Sequence, residues 1–185
     1  LDFYKFPKIA RLNREIIVTE KIDGSNGQIF ITPDLQFFVG SRSRWITSDQ
    51  DNYGFARWAY QYKDELIASL GEGLHYGEWW GSGINRGYGL TKGEKRFSLF
   101  NTLRWNNDNV GPAGVVPVLY EGIFSQNKIN DCLALLNEHG SFAAPGYMKP
   151  EGIIIFHTAA NLYLKVTLEN DETPKKLIII RDNKE

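Results

Sequence analysis

Nine short runs rich in β-branched and aromatic residues dominate the chain, at roughly 15–20, 27–32, 35–40, 74–80, 96–101, 115–124, 152–157, 161–167 and 176–180. Gly, Pro, Asn and Asp separate them, which is the pattern of short strands bounded by turns. Two helical stretches interrupt the series. In "DNYGFARWAYQYKDELIASLGEG", Phe55, Trp58, Ala59, Tyr62, Leu66, Ile67 and Leu70 keep helical spacing; Asp49 or Asp51 caps the start and Gly71 follows the end. In "SQNKINDCLALLNEHG", Ile129, Cys132, Leu133 and Leu136 share one face, with Gly140 as the stop. So many strands with so little strand–helix alternation argue against a parallel, doubly wound sheet. They predict an α+β fold built on antiparallel sheets. No Walker or dinucleotide-binding glycine pattern is present, so a bound nucleotide would need another cradle.

A chain of 185 residues can bury one sizeable core, and a single domain over 1–185 is expected. The aromatic share of 14% serves that core first and base stacking second. A formal net charge of −1 provides no global basic field, so nucleic acid would have to be held by a local patch or a compact site. The lone Cys132 excludes an internal disulfide and suits a reducing compartment. No apolar run reaches membrane-spanning length and no signal-peptide pattern opens the chain. A cytoplasmic monomer with no membrane partner is the expectation. His75 and His139 lack partners at metal-ligand spacing, which argues against zinc, and there is no GxSxG element for a serine hydrolase.

Five clusters set charge beside glycine or inside an apolar strand: "EKIDGSN" (20–26), "GSRSRW" (40–45), "HYGEWWG" (75–81), "PEGIII" (150–155) and "YLKVT" (163–167). Burying an unpartnered charge is costly, so inward-facing charges on several strands should answer one another or a ligand. Lys21 precedes an Asp-Gly turn, where it is either an ordinary lysine at a hairpin turn or a nucleophile. Arg42 and Arg44, two apart on an expected strand, share a face and can meet one anion, or they belong to a solvated face. Glu78 lies between Gly77 and Gly81, as an acceptor for a ribose hydroxyl or as an edge-strand acid. If the segments around Glu151 and Lys165 pair across the turn near 159–161, these two side chains project into a shared site or bridge each other. In "FSLF", alternation places Phe97 and Phe100 on opposite faces, so at most one stacks on a base.

In this order "KIDG", "SR", "GEWWG", "EGII" and "LKV" resemble the signature of the covalent nucleotidyltransferases, the polynucleotide ligases and RNA capping enzymes. "FSLFN" stands in the place of that family's adenine-stacking strand. The resemblance covers about residues 15 to 167. "EKIDGSN", "GEWWG" and "LKVT" are most similar to ATP-dependent RNA ligases of the phage nick-sealing and editing type. A DNA ligase, a capping guanylyltransferase and a non-catalytic nucleic-acid-binding β-domain are the alternatives.

The resemblance implies a two-layer antiparallel β-sheet nucleotidyltransferase fold with flanking helices. It implies ATP and Mg²⁺ or Mn²⁺ as cofactors, and RNA or nicked duplex ends as partners. AMP would be carried covalently on Lys21, passed to a 5′-phosphate, and displaced by a 3′-hydroxyl. A free lysine amine is protonated at neutral pH, and nearby positive charge from Lys165 and Mg²⁺ would favour its neutral form. By position, Glu20 and Phe100 would contact adenine, Glu78 the ribose, and Arg42 ribose or phosphate. Glu151 would hold the metal through water, Lys165 would meet the α-phosphate, and Asn26 would act after lysine adenylation. The family's last motif often has a second lysine where this chain has Thr167, so Lys175 or Lys176 is expected to compensate. With Glu185 as the last residue there is no room for an extra C-terminal domain, and a helper protein for end binding is the corresponding expectation. A phage-encoded protein acting in a host cytoplasm fits the same likeness.

Overall fold

The computed structural model describes residues 1–171. The expected strand at 176–180, with Lys175 and Lys176, lies outside the described residues. Residues 1–14 form no helix or strand, and the regular structure begins with β1 (Glu15–Lys21). Then follow β2 (Ser25–Ile31), β3 (Phe37–Ser41), β4 (Trp45–Ile46), α1 (Phe55–Gln61), α2 (Lys63–Leu70), β5 (Gly73–Gly81) and β6 (Lys95–Leu99). The order closes with β7 (Gly114–Val115), β8 (Val118–Ile123), α3 (Gln126–His139), β9 (Gly152–His157) and β10 (Leu162–Thr167). These strands make a four-stranded sheet, β10-β9-β1-β8, and a six-stranded sheet, β4-β3-β2-β5-β6-β7. Every pairing is antiparallel except β6 with β7. The expected α+β architecture of antiparallel sheets and flanking helices is what forms.

Each sheet buries one face under helices. Ile16, Val18, Ile153 and Ile155 pack against Ile129, Cys132 and Leu136 of α3. Ile29, Ile31, Val39, Trp79 and Phe97 pack against Phe55, Ala59, Leu66 and Leu70 of α1 and α2. Strand alternation then turns the opposite faces of both sheets toward one cleft. A third apolar cluster, Ile22, Trp80, Tyr88, Val116 and Ala144, lies where the chain passes between the sheets.

Two expected elements differ. The single helix over 55–70 is two helices broken at Tyr62, which has left the helical region (φ −103°, ψ 22°). Its N-cap position is Gly54, and of the two expected aspartates it is Asp51, from three residues upstream, whose carboxylate accepts from the N–H groups of Ala56 (2.8 Å) and Arg57 (3.1 Å). The expected strand 115–124 is also divided. Pro117, which has no N–H to give a ladder, separates β7 in one sheet from β8 in the other.

Candidate active site

The residues after Lys21 do not make a hairpin. β1 belongs to the four-stranded sheet and β2 to the six-stranded one, so the Asp-Gly segment is a crossover that hangs Lys21 at the mouth between them. Its geometry comes from packing. Ile22 is buried in the third apolar cluster, and a Cβ on Gly24 would stand 2.4 Å from the Trp79 carbonyl oxygen. That close approach admits only glycine. It also brings the Gly24 N–H to Glu78 Oε1 (2.9 Å), while Oε2 of Glu78 accepts from Nδ2 of its cross-strand partner Asn26 (3.0 Å). On the other side the Tyr88 hydroxyl accepts from the Asp23 N–H (2.9 Å) and donates to the Lys21 carbonyl (3.4 Å). The Asp23 carboxylate accepts from Asn85 Nδ2 (2.8 Å) and Arg86 Nε (3.2 Å).

The cleft has a volume of about 920 Å³ and takes side chains from both sheets. Lys21, Asn26, Arg42, Glu78, Phe100 and Lys165 all line it. The Lys21 ammonium pairs with the Glu151 carboxylate, and both are largely shielded from solvent. The shared register explains this: Lys21 faces Gly152 on β9, so Glu151 arrives one residue before that partner. A Cβ on Gly152, whose φ is +153°, would lie 2.2 Å from the Val166 carbonyl oxygen; glycine here lets β10 close on β9. Thr19, Ile154 and Lys165 then form one row across three strands, with Lys21, Gly152 and Thr167 in the next. β9 and β10 do pair as neighbours, but Glu151 bridges Lys21, and Lys165 forms no ion pair among the described residues.

The local setting of four of these residues differs from expectation. Arg42 and Arg44 are in the bend between β3 and β4 and not on a strand; Arg42 reaches the cleft and Arg44 does not line it. The bend is held by the Ser41 N–H on the Arg44 carbonyl (2.8 Å). Phe100 follows the end of β6, half-buried, bordering the cleft and also packing on the third apolar cluster. The Glu20 carboxylate points away from the cleft. It accepts from Ser141 Oγ (2.5 Å) and from the N–H groups of Phe142 (2.8 Å) and Ala143 (2.9 Å), and alternation leaves its main chain at the cleft.

Burial sets the charge states here. Desolvation pushes Glu78 up to about 7, against the lowering effects of the Gly24 N–H and the Lys21 charge. Glu20 is raised by burial too, opposed by its bonds to Ser141, Ala143 and Phe142. Tyr88 is raised by burial, which keeps its hydroxyl a neutral donor and acceptor.

Several cleft residues carry no periodic signal in the sequence. Thr102, Leu103, Arg104 and Trp105 come from a loop after β6, and Thr19, Phe156 and Tyr163 from otherwise ordinary strand positions. Tyr88 sits at φ +50° in the glycine-rich "NRGYGL", whose density of Gly was the available signal for a constrained turn. Among the described residues no group of three or more His, Cys, Asp or Glu side chains could hold a metal alone. One carboxylate beside the lysine, Glu151, suits a divalent ion that arrives on phosphate oxygens and keeps much of its water. No helix among the described residues is long and apolar enough to cross a membrane.

A family model described as RNA ligase matches residues 14–167. No curated protein matches by sequence. Solved structures of Naegleria gruberi RNA ligase share the fold. A mutant with AMP and Mn superposes with a TM-score of 0.62 at 19% identity, covering 84% of this chain and 50% of that one. A mutant with ATP and Mn gives 0.57 at 18%, covering 88% and 52%, and the ligase with PPi gives 0.58 at 18%, covering 84% and 50%. The chain spans about half the length of these proteins.

Proposed function

The chain belongs to the RNA ligase family, and from that premise we propose that it is an ATP-dependent RNA ligase whose Lys21 carries AMP. The observation that supports this best is the convergence of Lys21, Glu78 and Lys165, from two sheets, on one cleft large enough for a nucleotide. An amine at the cleft mouth, held by a carboxylate and facing a second cation, suits nucleophilic attack on phosphorus.

In the proposed first step Lys21 Nζ bonds to the α-phosphorus of ATP, the bond to the β-phosphate oxygen breaks, and pyrophosphate leaves. Glu151, already bonded to the amine, would take the proton that the nitrogen must lose to attack. Lys165 would meet the α-phosphate and Arg42 ribose or phosphate. Glu78 would accept from a ribose hydroxyl, and Phe100 with the Glu20 main chain would flank adenine. A divalent ion, held by Glu151 and the phosphates, would supply charge neutralisation when bound. AMP would then pass to a 5′-phosphate end, with Asn26 acting in these later steps, and a 3′-hydroxyl would displace it to close the phosphodiester. Nick sealing and RNA repair follow from the motif likeness to nick-sealing and editing ligases.

Incubation with α-labelled ATP and Mg²⁺, followed by a denaturing gel, tests the reading. The expected product is an acid-labile, alkali-stable protein–AMP adduct that Lys21→Ala abolishes; no adduct from the unsubstituted chain would overturn it. Labelled GTP in a parallel lane separates a capping enzyme from a ligase. Nicked duplexes with RNA or DNA at the 3′-hydroxyl side then test the substrate, and equal sealing of all-DNA nicks would count against RNA.

A further inference from the structure

The cleft-side face of the six-stranded sheet continues outward past the site as an uncovered apolar surface. Register places Phe38, Phe30 and Leu74 in one row across β3, β2 and β5. Trp45, Gly40, Gln28 and Tyr76 form the next row, across β4, β3, β2 and β5. Trp45 and Tyr76 are each 54% exposed, Leu74 41% and Phe38 39%. The rings of Phe30, Phe38 and Trp45 cluster with centroids 6.0–6.3 Å apart. Core packing does not explain them, because Val39 and Ile46, their neighbours in sequence, are the residues that face the helices.

Two features say what this face takes. Arg42 and Arg44 stand in the bend directly before Trp45, exposed and without an ion pair among the described residues, so cationic groups border the rings. Leu74 and Tyr76 belong to both the platform and the cleft lining, and Asn26 and Glu78 form the next row inward toward Lys21. From Phe30 to Asn26 is four residues of strand, about 13 Å. Flat rings edged by arginine, leading to a site for strand ends, match the chemistry of an unpaired polynucleotide: bases stack on aromatics and phosphates meet the cations.

We propose that Trp45, Phe38, Phe30 and Tyr76 form a stacking platform for an unpaired stretch of RNA leading to the end being joined, with Arg44 on its phosphates and Arg42 left to the cleft. The choice of RNA rests on the ligase reading. Such a local platform would also allow a near-neutral chain to hold nucleic acid without a general basic field.

The test is fluorescence anisotropy with a labelled oligoadenylate, about ten nucleotides long, on the intact chain and on Trp45→Ala, Phe38→Ala and Arg44→Ala. Lysine adenylation by labelled ATP is measured in parallel. Trp45→Ala and Phe38→Ala should each weaken oligonucleotide binding about tenfold. Trp45→Phe should restore most of it, and Arg44→Ala should flatten the salt dependence. Adduct formation should stay unchanged, since none of the three touches the cleft lysine. Binding undiminished in Trp45→Ala and Phe38→Ala, or absent from the unsubstituted chain, overturns the platform whatever the adduct assay gives. A change in oligomeric state on size exclusion, with RNA binding intact, would assign the face to protein contact and likewise overturn it. Loss of the adduct with RNA binding intact would sink the ligase chemistry instead.

Discussion

The Lys21 ammonium is ion-paired with Glu151 although 130 residues separate them, because β1 and β9 run side by side with Lys21 opposite Gly152. The pair holds the amine beside a carboxylate that is within reach of its proton. Glu151→Gln keeps the shape and removes the acceptor. Single-turnover formation of the AMP adduct is expected to slow about a hundredfold or more, whereas an unchanged rate would show that Glu151 has no part in the proton transfer.

Glu78 predicts a pH dependence of stability. Its folded pKa, about 7, lies above the ordinary 4.5. A carboxyl raised in this way favours the fold while protonated, so its contribution is complete below about pH 4.5 and is lost as pH rises through about 7. The shift corresponds to at most about 3 kcal/mol. Glu20 is raised in the same direction, so the comparison must be made against Glu78→Gln. Urea midpoints measured from pH 4.5 to 8 should fall more steeply for the unsubstituted chain than for the variant. Parallel curves would refute the burial argument.

The chemistry-bearing residues were legible because each is a charge out of place in an apolar or glycine-rich strand: Lys21, Glu78, Glu151 and Lys165 stand out for that reason. Their meeting in one pocket was implied by the order of the motifs, but the path of the chain that brings them together was not legible. Asp-Gly after a strand looks the same whether the chain folds back or crosses to a second sheet, and here buried Ile22 and the tight fit of Gly24 on Trp79 decide for crossing. Glu20 misled because its partners, Ser141, Phe142 and Ala143, lie over 120 residues away. The strand expected through Arg42 and Arg44 does not form because "GSRSRW" has the alternation of a strand while the Ser41–Arg44 bond bends it. Pro117, by contrast, was a readable breaker inside an apolar run.

Tyr88 holds the main chain on both sides of Ile22, from the Lys21 carbonyl to the Asp23 N–H. Its hydroxyl is the acceptor for the Asp23 N–H and donates to the Lys21 carbonyl, so Tyr88→Phe leaves the N–H without its partner in a largely buried turn. The expected cost is about 1–3 kcal/mol in urea unfolding. Adduct formation should slow at saturating ATP as well, because the amine is less well held. Loss of stability with an unchanged saturating rate would leave Tyr88 a purely structural residue.

Gly24 ties the turn to the carboxylate. Gly24→Ala sets a Cβ 2.4 Å from the Trp79 carbonyl oxygen and 2.8 Å from the Trp80 Cβ, neither of which can rotate away. The crossover must shift, breaking the Gly24–Glu78 hydrogen bond and displacing Lys21. Destabilisation of about 1–3 kcal/mol is expected from the overpacking. Gly114→Ala is the control, since its Cβ would meet nothing closer than 3.5 Å. The two variants separate a general intolerance of β-rich segments to added methyl groups from a specific fit at the turn. If Gly24→Ala unfolds no earlier than Gly114→Ala and still accepts AMP at the normal rate, the close packing of this turn on β5 is not what places the lysine.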